Sequence, residues 1–284
     1  MLKNNYLAIT SFQLKLDIIC KKDHDLLIQN ELYHSQMKKS IEIIKKLQPD
    51  IAIFPEMAFS QNYEKTIKEL SKDKLIIFGS TYVGHINKTK IYQNCKLNEV
   101  TKRFSCGSEP MVRFLEKIDV NTFIKKYLKE HEFYINSQKV YVLNCLEYYQ
   151  VAYFIARNYE LSKNLFGFLV PCSNSNPNVF IEESKAIHNH NENIYSFVCN
   201  RIKNDGKSGY GLSYIYGPIQ YHEKDWLTEE GIISDKHNCS ILKQDLSTPS
   251  YSYGLYAISN IISRFGRSDY YINTPKNVTI KNIL

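Results

Sequence analysis

The chain alternates short apolar runs of strand length with longer stretches of helical period, and the change at Cys145 is the sharpest. Val140-Tyr-Val-Leu-Asn144 has the look of a buried strand; it stops at Cys145-Leu-Glu147, and a helical pattern continues to Arg157. Residues 6–14, 51–54, 75–83, 140–144, 166–170 and 195–200 read as further strands, with a hairpin through 91–97. Residues 25–47, 62–71, 147–159 and 181–190 read as helices. Strands alternating with helices mean an α/β architecture. The last stretch, 251–284, is aromatic and basic and reads as a tail that packs on the body or on a partner subunit.

A cysteine at a strand-to-helix corner has its sulfur at a helix N-terminus. Unpaired backbone N–H groups there favour the thiolate and can hold a developing oxyanion. Upstream, Asp50-Ile-Ala-Ile-Phe-Pro-Glu56 is a short apolar strand that ends in proline and a carboxylate. Between the two lies Arg113-Phe-Leu-Glu-Lys117-Ile-Asp119, a third short extended stretch carrying a lysine. Singly, these read as a buried small thiol, a solvated turn and a surface lysine. Together, in this order and on three strand ends, they supply a nucleophile, a base and a cation.

The stretches Ile51-Ala-Ile-Phe-Pro-Glu56, Glu116-Lys117-Ile118 and Val142-Leu-Asn-Cys145-Leu-Glu147 resemble the nitrilase, or carbon-nitrogen hydrolase, superfamily, whose catalytic residues are a glutamate, a lysine and a cysteine in that chain order. Weaker echoes run through Tyr6-Leu-Ala-Ile-Thr-Ser-Phe-Gln13, Phe168-Leu-Val-Pro171, Tyr195-Ser-Phe-Val-Cys-Asn-Arg201 and Gly211-Leu-Ser-Tyr-Ile-Tyr-Gly-Pro218. The resemblance implies a four-layer α-β-β-α sandwich built as one domain over residues 1–284, with two similar halves and the site at the C-terminal ends of strands. It also implies roles: Glu56 as general base, Lys117 as oxyanion stabiliser with the backbone N–H of Leu146, and Cys145 as nucleophile. A second active-site glutamate is common in the family, and Glu130 and Glu132 are both candidates. Assembly into a homodimer or higher homo-oligomer through the helix after the cysteine strand is the family's habit. The chain departs from the pattern after Cys145, where Leu146 replaces an aromatic residue and Tyr148-Tyr149-Gln150 follow without proline.

The implied activity is cleavage of a non-peptide C–N bond in a small amide or nitrile through a thioester on Cys145, with no cofactor. Tyr148 and Tyr149, at the start of the cysteine helix, and Ser173 and Asn174, in the loop Pro171-Cys-Ser-Asn-Ser-Asn-Pro177, are candidate substrate contacts. The alternative is a catalytically silent nitrilase-like scaffold or regulatory partner, against which stand the intact Glu56, Lys117 and Cys145.

Composition excludes other classes. Hydrophobic content of 43% with 13% aromatics rules out global disorder. No apolar run approaches about 18 residues, so neither a membrane span nor a signal peptide is expected. Seven cysteines form an odd count without scaffold spacing, which suits a reduced, cytoplasmic setting. His188-x-His190 and His237-x-Cys239 lack the paired-knuckle spacing of a zinc site, and no metal is expected. The net charge of +7 is dispersed: Lys38, Lys39, Lys45 and Lys46 flank Ile41, Ile43, Ile44 and Leu47 as the wet face of an amphipathic helix. No nucleic-acid partner is expected.

Overall fold

A computed structural model describes residues 6–20, 25–83, 86–102, 120–176, 178–191, 194–203, 213–217, 232–234, 240–243, 252–259 and 275–282. Two seven-stranded sheets dominate it. The first runs in the order β18 (Pro275–Asn282), β17 (Ser252–Ser259), β1 (Tyr6–Gln13), β5 (Ile51–Phe54), β6 (Leu75–Val83), β7 (Ile86–Gln93), β8 (Lys96–Thr101). The second runs β15 (Ile232–Ser234), β16 (Ser240–Lys243), β14 (Tyr214–Tyr216), β12 (Tyr195–Asn200), β11 (Leu165–Cys172), β10 (Gln138–Val142), β9 (Glu132–Ile135). Two short ribbons pair β2 (Lys15–Leu16) with β13 (Ile202–Lys203) and β3 (Ile18–Cys20) with β4 (Asp25–Leu27).

The sheets repeat one plan. In the first, β1, β5 and β6 are parallel and are linked by helices α1 (Glu31–Leu47) and α2 (Glu64–Leu70). In the second, β10, β11 and β12 are parallel; α4 (Leu146–Arg157) and α5 (Tyr159–Ser162) link the first pair, and α6 (Asn178–His190) the second. An antiparallel strand flanks each trio on both sides, β17 and β7 in one sheet, β9 and β14 in the other. The two halves implied by the resemblance are thus visible in topology.

Three apolar clusters define four layers. Leu7, Ile9, Ile51, Ile53, Ile77 and Val100 of the first sheet interdigitate with Val140, Val142, Leu169, Phe197 and Cys199 of the second. On the outer face of the first sheet, Phe12, Phe54, Ile76 and Phe78 pack against Tyr33, Met37, Ile41, Ile44 and Ile67 of α1 and α2. On the outer face of the second, Tyr141, Phe168, Val170 and Val198 pack against Tyr148, Val151, Ile155, Phe180 and Ile187 of α4 and α6. Alternation along each strand sends one set of side chains to the sheet-sheet core and the other to the helices. Helix α3 (Val120–His131) adds Tyr127 and Leu128 to the outer cluster.

One expectation needs correction. The helix expected over 25–47 starts at Glu31, where Asn30 caps it by accepting the Tyr33 N–H at 2.9 Å; residues 25–27 instead pair with β3. The stretch 251–284 packs on the body, one of the two places expected for it: its described parts, β17 and β18, complete the first sheet beside β1. Among the described residues, no helix is long and apolar enough to cross a membrane.

Candidate active site

Three chain breaks from regular strand build the site. After β5, Pro55 turns the chain and puts Glu56 at the strand's C-terminal rim, buried at 5% exposure, with Met57 at φ 65°. In β6 the pairing with β7 shifts register between Phe78 and Thr81, an irregularity that holds Gly79 and Ser80. A bulge of this kind re-aims side chains, and here Ser80 meets Glu56. After β10, Cys145 takes φ 52° and ψ −116°, an uncommon backbone for a residue with a Cβ, and becomes the N-cap of α4.

Glu56 Oε1 collects three donors: Ser80 Oγ at 2.6 Å, Lys102 Nζ at 3.0 Å and Asn144 Nδ2 at 3.1 Å. Lys102 follows β8 and has a side chain only 2% exposed, so it and Glu56 form a buried ion pair. Asn144 is the residue before Cys145. Its side-chain oxygen also accepts the Ser80 N–H at 3.3 Å, and its own N–H donates to Glu147 at 3.2 Å. Behind it, fully buried Glu147 lies 3.7 Å from His131 Nε2.

Cys145 is buried, at 6% exposure, and its N–H donates to Pro171 O at 2.9 Å, continuing the β10–β11 ladder to the corner. The Glu56 N–H points at Cys172 O, at 3.4 Å, so Glu56 and Cys145 both abut the end of β11. The space is tight: a Cβ on Gly79 would lie 2.5 Å from Glu56 N and 2.8 Å from Pro171 Cβ. Burial pushes the Cys172 thiol well above its ordinary range, with the neighbouring Cys145 and Glu56 adding to the effect, Cys199 less, and Lys102 opposing it. Leu146 opens α4, where backbone N–H groups are not consumed by the helix.

The other sequence candidates fall elsewhere. Lys117 lies outside the described residues. Glu130 stands exposed on α3, while Glu132 accepts the hydroxyl hydrogens of Tyr134 and Tyr141 at 2.8 and 3.0 Å. Tyr148 is buried between α4 and the second sheet, with its hydroxyl shared with Ser184 and Ser196, both at 2.8 Å. Tyr149 is half exposed and lines an outer groove with Tyr153, Phe154 and Glu183. Ser173 accepts from Arg201 Nε, and Asn174 is fixed through its backbone by Asn200, which bonds both its N–H and its carbonyl at 2.9 Å. Lys102, Asn144 and Ser80 escape the sequence reading. Lys102 lies between Glu56 and Cys145 in the chain, but nothing in its local sequence sets it apart from the other lysines.

No protein-family model matches the chain, and no curated protein does. Among solved structures it is similar to a CN-hydrolase superfamily protein from Xanthomonas campestris with an arsenic adduct in its active site. The identity is 11% and the TM-score 0.47, over 75% of this chain and 83% of that one. It is also similar to a variant of the amidase from Nesterenkonia sp. AN1 in complex with acrylamide, at 8% identity and TM-score 0.48, over 76% and 85% of the two chains. A second variant of that amidase, showing Michael addition of acrylamide at the active-site cysteine, matches at 9% identity and TM-score 0.42, over 74% and 85%. None of the three fixes a residue's role here. The architecture on its own, two sheets face to face between helical layers with a cysteine at a strand-helix corner, is the one the nitrilase resemblance implied.

Proposed function

We propose that the chain is a carbon-nitrogen hydrolase that cleaves a small non-peptide amide through a thioester on Cys145. The observation that carries this reading is the buried Glu56 carboxylate, held by Lys102, Ser80 and Asn144, the last being the chain neighbour of Cys145. Glu56 takes the thiol proton as sulfur attacks the carbonyl carbon. Negative charge on the tetrahedral oxygen is met by the Leu146 N–H and the Lys102 ammonium. We give Lys102 the oxyanion role that the resemblance implies for Lys117, on the ground that its ammonium lies 3.0 Å from Glu56 Oε1. The C–N bond then breaks, the amine leaves with the proton from Glu56, and the acyl group stays on sulfur. Water, deprotonated by Glu56, attacks the thioester and releases the acid.

Three donors on one carboxylate oxygen leave Oε2 as the proton carrier. A scaffold has no use for an ion pair buried in this way, since such pairs are costly to desolvate and contribute little net stability.

The test is a panel of small amides, read by ammonia release and by intact-protein mass with peptide mapping. An acyl adduct on Cys145, lost in Cys145→Ser, is the expected result. No adduct and no ammonia across the panel, with Cys145 no more alkylatable than exposed Cys95, would favour the scaffold instead.

A further inference from the structure

We propose that Cys172 is a resolving thiol for Cys145, so that a hydroperoxide converts the site into a reversible Cys145–Cys172 disulfide. This rests on the reading of Cys145 as the reactive thiol.

The geometry comes from strand register. β10 and β11 run parallel with Val142 opposite Leu169, and the ladder continues through Leu143 N–H to Leu169 O at 3.1 Å and Cys145 N–H to Pro171 O at 2.9 Å. That pattern makes Cys145 and Cys172 direct neighbours across the two strands. Adjacent strands lie about 4.8 Å apart, within the roughly 4.4–6.8 Å Cα separation that a disulfide spans. Both residues belong to the apolar cluster on the helix side of the second sheet. Cys199 is the other nearby thiol, but it belongs to the sheet-sheet core, where its sulfur donates to Phe12 O at 3.2 Å and Ile53 O at 3.4 Å. Cys145 is therefore the partner that Cys172 faces.

The two thiols differ in access, and that sets which of them an oxidant reaches first. Cys145 retains 6% exposure at a helix N-terminus, whereas Cys172 is sealed at 0% and kept protonated by burial. An oxidant meets Cys145 first. Its sulfur attacks a peroxide oxygen, the O–O bond breaks, and water or an alcohol leaves, giving a sulfenic acid. The Cys172 sulfur then attacks the Cys145 sulfur, the S–O bond breaks, and hydroxide departs as water with the Cys172 proton. Two electrons pass from the thiol pair to the hydroperoxide, and an external dithiol returns them. The disulfide holds the nucleophile at a recoverable step, before the irreversible sulfinic and sulfonic stages.

The full chain is labelled with iodoacetamide before and after treatment with hydrogen peroxide, then mapped by mass spectrometry without reduction. The expected result is a Cys145–Cys172 cross-linked peptide and an intact mass lower by two hydrogens. Cys145 labelling should be lost, and regained after dithiothreitol. In Cys172→Ala and Cys172→Ser, Cys145 should pass to the sulfinic acid and labelling should not return. Wild-type Cys145 carrying sulfinic acid beside unmodified Cys172, or paired with another cysteine, would overturn the proposal. The untreated sample separates the two readings: Cys145 inert there overturns both, while Cys145 reactive but never cross-linked overturns this one alone.

Discussion

Gly79→Ala is a single-methyl change aimed at the backbone that positions Glu56. The added Cβ would sit 2.5 Å from Glu56 N, 2.6 Å from Glu56 Cα and 2.8 Å from Pro171 Cβ. Two of these atoms are main chain, so no rotamer change relieves the contact. Ordinary carbon contacts begin near 3.5 Å, so Glu56 must move by about 1 Å. Overpacking of this kind costs about 1–3 kcal/mol, and a misplacement of about 1 Å can cost roughly 10²-fold in rate. Thermal melting by circular dichroism reads the first effect, and the iodoacetamide rate at Cys145, mapped by peptide, reads the second. Gly167→Ala is the control, because its Cβ would press on Tyr195 O at 2.6 Å, straining the β11–β12 pairing and leaving Glu56 in place. Both variants should melt several degrees early, yet only Gly79→Ala should slow Cys145. Wild-type Cys145 reactivity in a folded Gly79→Ala protein would refute the claim that this close approach sets the carboxylate.

Lys102→Met should lower the Cys145 alkylation rate and destabilise the fold by about 3–5 kcal/mol, because it leaves the Glu56 carboxylate buried without its cation; Lys117→Met should do neither, and the reverse pattern in melts and peptide mapping would return the role to Lys117. Burial raises the Glu183 carboxyl from 4.5 to about 7, partly offset by the Tyr153 N–H. The folded state thus holds that proton more tightly than the unfolded chain, and stability is lost as pH rises from 4.5 through about 7. Glu183→Gln should remove this loss, worth about 1–2 kcal/mol after discounting for solvent at a half-buried group, in urea melts at pH 8 compared with pH 5. Tyr149 at 50% and Phe154 at 40% exposure form an apolar outer face on α4. Light scattering at micromolar concentration should show at least a dimer there, and Tyr149→Arg should weaken it.

The parts of the fold written in local pattern are legible in the sequence. Ile51–Phe54, Leu75–Val83 and Tyr195–Asn200 stand out as apolar runs, and the structure starts and ends those strands at the same residues. The strand ends that carry Glu56 and Cys145 are legible for the same reason, since proline or a change of period marks them. Elsewhere the pattern misleads. Asp25-Leu-Leu27 continues the helical period of α1 and so hides the β3–β4 ribbon, although Asn30 is a readable cap. β17 and β18 find their place only through pairing with β1, far away in the chain, and no local period announces that. Lys102 is one lysine among many, and its burial follows from two strand ends meeting across 46 positions. Ser80 and Asn144 reach Glu56 because of a bulge and a positive-φ corner, which depend on tertiary fit and not on residue type.

The proposed chemistry depends on Glu56 as the base for a Cys145 nucleophile. Its most direct test is the rate at which the amide that acylates the wild-type protein acylates Glu56→Gln. Glutamine keeps the size of the side chain and still lets its carbonyl accept from Lys102, but it cannot take the thiol proton, so the variant should be folded by circular dichroism and slower by about 10²–10⁴. Acylation of Cys145 at the wild-type rate in the folded glutamine variant would contradict the account and remove Glu56 from the chemistry.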